Sequence, residues 1–326
     1  MTATYAGQRV LVIGGLGYLG SNLTAALLDA GADVTVVTPA RARHILAAAR
    51  MEARGARVVD ADIRDRTAMR DAVRGQAIVF NVSGQSGALR SVQDPASDLD
   101  VNGAGNLSLL EALRLDGSAA KLVFAGSRLV YGAARMLPVS EDQPIAPLCP
   151  HGVHKAMVEH YLAIYGRLHG LRATCLRITN PYGPGQPSDR SAYGVINYLI
   201  HRAVAGQSLP IFGDGAQVRD YVFVDDVIHA MLLAGGDARS DGRVYNIGSG
   251  VGTSMIDAAR LIVRAVGEGR VELEPWPPLV HEIDTGDFVA DISRAGAELG
   301  WQPTVALADG LRRTVASISA EVAGRS

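Results

Sequence analysis

Residues 9–20 read Arg-Val-Leu-Val-Ile-Gly-Gly-Leu-Gly-Tyr-Leu-Gly, an apolar β-branched run that ends on glycines and passes straight into helix-forming residues. Gly14, Gly15, Gly17 and Gly20 satisfy both the GxGxxG and the GxxGxxG spacing, in the strand-to-helix setting that gives the motif its meaning. Glycines there let main chain approach a pyrophosphate. The unpaired N–H groups opening the helix, around Tyr18 and Leu19, stabilise its charge. A second apolar run, Asp33 to Val37, completes strand, glycines, helix and strand within about forty residues. The stretch predicts a Rossmann unit that binds a nicotinamide dinucleotide.

Further runs of the same kind follow at Arg57–Asp62, Ala77–Val82, Lys121–Ser127, Leu171–Thr179 and Arg243–Gly248. They lack polar alternation, as strands buried on both faces do, and helical segments separate them. The expectation is an α/β fold, a doubly wound parallel Rossmann sheet with a smaller C-terminal substrate-binding lobe. The clearest helix is His151–Leu168, where Val153, Met157, Tyr161, Tyr165 and Leu168 recur at three- and four-residue steps as a core or dimer stripe. After Thr179 the loops turn rich in glycine and proline. The expected division is residues 1–179, with about 218–250, for the dinucleotide domain, and 180–217 with about 251–320 for the substrate lobe.

The chain has 326 residues, enough for a large core, and 48% hydrophobic with 20% charged residues excludes disorder. A net charge of -2 argues against nucleic acid as partner and for a small molecule. Cys149 and Cys175 build neither a disulfide framework nor a metal site, so no metal is expected and a reducing cytoplasm fits. No apolar run approaches the ~18 residues of a membrane span.

At the end of the second strand, where an acid would hold a ribose 2′-hydroxyl, stand Thr38, Arg41 and Arg43. Arginines there accept a 2′-phosphate bidentately and point to NADP. Solvated arginines on a surface loop fit the sequence equally.

The chain resembles, over nearly its whole length, the extended short-chain dehydrogenase/reductase family, specifically the NAD-dependent epimerases and dehydratases of nucleotide sugars. The resemblance rests on the glycine motif, Asp62-Ile63, Asn81 with SGQ, Asn102 in NGAGNLSLLEAL, GSRLVYG, EDQPIAP, NPYGPGQ, FGDGAQVRDYVFVDDV, YNIGSG and VADISRAGAELGWQP. It implies NAD, a nucleotide-sugar substrate, and a homodimer built from helices near Leu99–Leu113 and His151–Leu168. It places Asp62 and Ile63 near the adenine, Val82, Ser83 and Gln85 along the cofactor, and Asn180 and Arg219 on the substrate. In the family a Ser or Thr, a Tyr and a Lys do the chemistry. Ser127 and Lys155 match, Lys155 also holding cofactor ribose, but the YxxxK tyrosine is His151. The usual diphosphate arginine is missing near Gly286 and Asp287. Dehydratases place an acid after the catalytic Ser or Thr, whereas here Arg128 follows.

An imidazole can replace the phenol as base, because its ordinary pKa of ~6.5 lies near neutrality and Lys155 depresses it further. Its shorter reach leaves open a different base, Tyr131, Glu141, Cys149 or His154, or no proton transfer at all. Asn102 is expected to bond backbone within its helix, and one of Asp225 and Asp226 to cap the next. The leading function is a nucleotide-sugar epimerase-like enzyme working by transient hydride transfer at a sugar hydroxyl carbon. The alternatives are an NADP-dependent reductase of a non-sugar carbonyl and a catalytically impaired dinucleotide-binding protein.

Overall fold

The structure, a computed structural model, describes residues 2–39, 44–117, 119–186 and 194–323. Its strands are β1 (Arg9–Ile13), β2 (Asp33–Thr38), β3 (Arg57–Asp60), β4 (Ile78–Asn81), β5 (Lys121–Ser127), β6 (Arg172–Ile178), β7 (Asn180–Tyr182), β8 (Leu209–Phe212), β9 (Val218–Phe223), β10 (Val244–Ile247), β11 (Gly252–Ser254) and β12 (Val271–Glu274). Seven of them form one sheet in the order β10-β6-β5-β4-β1-β2-β3, every neighbouring pair parallel. All seven expected apolar runs are strands of this sheet.

Alternation along β1 shows why the runs are unbroken. Val10 and Val12 enter one apolar cluster with Leu23 and Leu27 of the helix Tyr18–Asp29. Leu11 and Ile13 enter another, with Leu109 and Leu113 of the helix Gly105–Asp116 and Val158 and Leu162 of the helix Pro150–His169. Both faces of the strand are covered, so neither admits a polar residue. The strand order reverses between β4 and β1, and ligands of such sheets bind in the crevice outside the carboxyl ends at that point.

The helix Pro150–His169 opens with proline in its first turn and closes on left-handed Gly170 (φ 68°). Its predicted stripe divides. Tyr165 is buried, whereas Val153 and Leu168 are 49% and 61% exposed, so these two belong to no core. Asp225 and Asp226 do not cap a helix: Phe223 is the cap residue of Val224–Gly236. Asp226 is buried and accepts from Thr304 N, Thr304 Oγ1 and Val305 N, and Asp225 pairs with Arg313.

The C-terminal part adds two small sheets, β11-β9-β7 and β12-β8, and the helices Val195–Val204, Met255–Val266 and Leu307–Ala323, which pack on one another. Among the described residues no helix is long and apolar enough to cross a membrane.

Candidate active site

Gly14 leaves β1 at φ +83°, and a Cβ on it would lie 2.8 Å from the backbone of Ser83. A Cβ on Gly20 would lie 2.0 Å from Gly14 O, which no rotation of a side chain relieves. The loops after β1 and β4 and the first helical turn therefore meet main chain to main chain. Gly17 caps that helix with no side-chain hydrogen bond, and the first turn holds no acid, so among the described residues no cap or acid competes for an anion at Tyr18, Leu19 and Gly20. The cradle fits a dinucleotide pyrophosphate.

Thr38 is buried at the end of β2, and Arg41 and Arg43, on which the NADP reading rested, lie outside the described residues. Asp62 is gripped by Arg64 through Nε (2.9 Å) and Nη2 (2.8 Å), and those bonds hold its carboxyl below the usual range. Ile63 is buried against Gly105. Val82 follows β4, and Ser83 Oγ donates to Asn81 Oδ1 at 2.6 Å. Gln85 gives its carbonyl to Asn102 Nδ2 (2.8 Å), while Gln85 Nε2 and Asn102 Oδ1 are buried without a partner. Asn102 thus reaches across to another loop rather than along its own helix. It sits in a π-turn, Asp100–Ala104, a deformation frequent at functional sites.

Ser127 ends β5, its Oγ accepting Leu129 N–H at 3.2 Å. Lys155 is buried, with Nζ 2.8 Å from Ala125 O and 4.6 Å from the centre of the Phe124 ring, and burial brings its ammonium down to about 8. His151 is buried in the first turn of the same helix, its backbone N–H donating to Ser91 Oγ (3.1 Å). Its Nδ1 lies 3.4 Å from Asn102 Nδ2 and 3.6 Å from Asp98 Oδ2. His154 Nδ1 lies 2.6 Å from Asp98 Oδ1.

Asp98 is the residue that sequence reasoning missed. Fully buried in the short helix Pro95–Leu99, it hydrogen-bonds His154 of the HxxH pair and faces His151 Nδ1 at 3.6 Å. Burial works to raise its carboxyl, but the hydrogen bond to His154 and the nearby polar groups of His151 and Asn102 hold it down at about 2, so it is an anion at neutral pH, with Oδ2 free of any hydrogen bond among the described residues. His151 is pushed below its ordinary value first by burial and then by Lys155 and His154, against the pull of Asp98. Burial, rather than Lys155, is the main cause of its neutrality.

The other candidate bases are engaged elsewhere. Tyr131 is fully buried, donates to Asn246 Oδ1 (2.7 Å) and accepts from Arg177 Nη1 (2.8 Å), and burial pushes its phenol up to about 12. Glu141 Oε1 accepts Asn246 N–H, and burial raises the Cys149 thiol. His154 is held by Asp98.

Toward the C-terminal part, Asn180 Nδ2 donates to Asp220 O (2.8 Å). Arg219 pairs with Asp284 and donates to Gly286 O (2.8 Å), so the segment without the expected diphosphate arginine supplies acceptors to Arg219 instead. Arg128 Nη1 donates to Thr285 Oγ1 at 2.8 Å.

Residues 10–248 match the NAD dependent epimerase/dehydratase family. The chain belongs to this family. It is similar to the UDP-glucose 4-epimerase of Mycolicibacterium smegmatis, 37% identical over 317 residues that cover 94% of this chain and 97% of that protein. Among solved structures, the UDP-glucose 4-epimerase of Thermotoga maritima with UDP-glucose superimposes with a TM-score of 0.88 at 32% identity, covering 97% of this chain and 100% of that one. The Thermus thermophilus UDP-glucose 4-epimerase complex with NAD gives 0.85 at 33% identity, covering 95% and 99%. The parallel sheet, the glycine cradle and the crevice are those of an NAD-dependent epimerase/dehydratase.

Proposed function

We propose that the protein is an NAD-dependent nucleotide-sugar epimerase that oxidises and re-reduces C4 of the sugar, with Ser127, His151 and Lys155 as its catalytic residues. The observation that carries this reading is the seat of His151. Its ring is buried one helical turn from Lys155, with Nδ1 toward Asp98 and Asn102, and Nε2 makes no hydrogen bond among the described residues. A base needs an orienting partner on one nitrogen and a vacant lone pair on the other.

NAD, when bound, would supply a reversible hydride acceptor at the sugar carbon. Gly14, Gly15, Gly17 and Gly20 with Tyr18 and Leu19 would hold its pyrophosphate, Asp62 and Ile63 would border the adenine side, and Val82, Ser83 and Gln85 would flank the chain between. Thr38 offers a buried hydroxyl but no charge to a 2′-phosphate, and the family supports NAD over NADP. Ser127 Oγ hydrogen-bonds the reacting hydroxyl, and His151 Nε2 takes its proton as the carbonyl forms. Lys155 holds a ribose hydroxyl and keeps His151 from charging. Asn180 and Arg219 bind the nucleotide diphosphate. Asp98 orients His151 and stabilises the imidazolium once the proton arrives. Arg128 supplies no acid for eliminating water, which favours epimerisation over dehydration.

The pH profile follows. A neutral His151 is lost as pH falls through a value below 6.5, and the Lys155 cation is lost as pH rises through about 8. The kcat/KM profile is expected to be a bell with its alkaline limb near pH 8, and a plateau extending beyond pH 10 would contradict the role given to Lys155.

One observation favours a non-sugar carbonyl as substrate: Arg219 is already occupied by Asp284. Incubation with NAD and UDP-glucose, read by proton NMR for UDP-galactose, separates the readings. Epimer formation supports the first, and tight NAD binding without conversion of any sugar nucleotide would sink it, leaving a reductase or a binding protein.

The lobes are proposed as residues 1–179 with about 218–250, and 180–217 with about 251–320, although β9 pairs in the small sheet while β10 joins the large one. A homodimer is proposed on an apolar groove of about 500 Å³ lined by Val153, Met157, Tyr161 and Ile164. A monomeric mass by light scattering would exclude it. The two buried, free cysteines fit work in a reducing cytoplasm.

A further inference from the structure

Arg128 has a role that the epimerase chemistry does not use. It is the residue immediately after Ser127, at the carboxyl end of β5, and only 8% of it is exposed. Among the described residues, one of the five N–H donors of its guanidinium makes a hydrogen bond, to Thr285 Oγ1, and the guanidinium carbon lies 5.1 Å from the centre of the Phe288 ring. It forms no salt bridge among the described residues. The neighbouring guanidinium of Arg219 takes Asp284, the carboxylate closest to balancing the pair. Asp220, the other acid nearby, turns both oxygens to N–H groups of Ser249, Gly250 and Ala290.

A largely buried guanidinium with one side-chain hydrogen bond and no salt bridge among the described residues is costly, and a cation–π contact offsets a fraction of that cost. Burial and Arg219 bring its pKa down to about 10, which leaves it charged at neutral pH. A second polar group without a partner ends the neighbouring strand. In the sheet Ser127 is opposite Ile178, so the next residues outward are Arg128 and Thr179, and Thr179 Oγ1 is buried with no hydrogen bond. Two adjacent strand ends thus present, at the carboxyl end of the sheet, a cation without a salt bridge among the described residues and an idle hydroxyl.

We propose that Arg128, with Thr179, binds a carboxylate on the sugar ring, so that the substrate is a nucleotide-linked hexuronic acid rather than a neutral hexose; this rests on the epimerase reading above. Ser127 addresses the hydroxyl on C4, and the carboxyl carbon of a hexuronic acid is two bonds from C4, attached to C5. Arg128 follows Ser127 at the same strand end, and its side chain reaches Thr285 and Phe288 in the C-terminal part. Asn180 and Arg219, given above to the diphosphate, border the same cation, Arg219 through its nearby charge and Asn180 as the residue after Thr179. A guanidinium fork matches a carboxylate bidentately.

The test compares kcat/KM for UDP-glucuronic acid and UDP-glucose in the NAD-loaded wild type and in Arg128→Gln, with the Kd of UDP alone measured on both proteins. Wild type is expected to favour the uronic acid, and the preference should fall by about 10- to 100-fold in Arg128→Gln, the loss of a hydrogen bond to a charged group. A wild type that turns over UDP-glucose as well as or better than the acid, or a ratio unmoved by the substitution, overturns the proposal alone. The wild-type ratio decides even when the variant does not fold. A loss of UDP affinity equal to the loss for the acid assigns Arg128 to the diphosphate and overturns the carboxylate. Failure of both sugar nucleotides to bind overturns the epimerase reading with it.

Discussion

Replacing His151 with phenylalanine is expected to lower kcat by about 10²–10⁴-fold, the usual contribution of a positioned general base. NAD affinity should stay within a few-fold, because the ring touches Asp98 and Asn102 and not the glycine cradle. The same variant leaves Asp98 paired with His154 alone. His154→Gln is the contrast, since it removes the imidazole that Asp98 holds more tightly at no cost to the base. If His154→Gln is the more damaging change in kcat, the base has been assigned to the wrong histidine.

The second large effect is on stability. Glu159 on the helix Pro150–His169 and Arg177 on β6 form a buried pair, Nη2 to Oε2 at 2.6 Å with Nε bridging both oxygens, their side chains 5% and 6% exposed. Arg177 also donates to Tyr131, which donates to Asn246. Glu159→Ala strands a guanidinium beneath the turn that carries Ser127, and should cost about 3–5 kcal/mol. The urea midpoint is the measure. A loss under ~1 kcal/mol would show that water or another acceptor reaches Arg177. Because Tyr131 is tied into this network, Tyr131→Phe is expected to act on stability before it acts on kcat.

The parallel sheet was legible because strands covered on both faces spell continuous apolar runs, and β1, with its alternate residues in two different clusters, is the plain case. The cradle was legible because Gly20 and Gly14 admit no Cβ, a constraint that local sequence records directly. Asp98 was not legible. It lies 56 residues from His154, in a polar stretch that reads as a surface helix, and its burial arises only when that helix packs under the HxxH turn. Asn102 misled for a related reason: its side chain leaves a π-turn for a distant loop, which periodicity does not encode. Arg128 was visible only as a missing acid, because the lack of a counter-ion is a property of its surroundings. The stripe on the helix Pro150–His169 mixed core with surface, since Tyr165 packs inward while Val153 and Leu168 do not.

The most direct measurement is a single turnover of the NAD-loaded protein with UDP-sugars, followed by the near-ultraviolet absorbance of reduced nicotinamide, in wild type and in His151→Phe. The account predicts a transient rise and fall with a UDP-sugar in the wild type and its loss in the variant, with NAD still bound. No transient with any sugar nucleotide, or a transient of equal rate in His151→Phe, would contradict it.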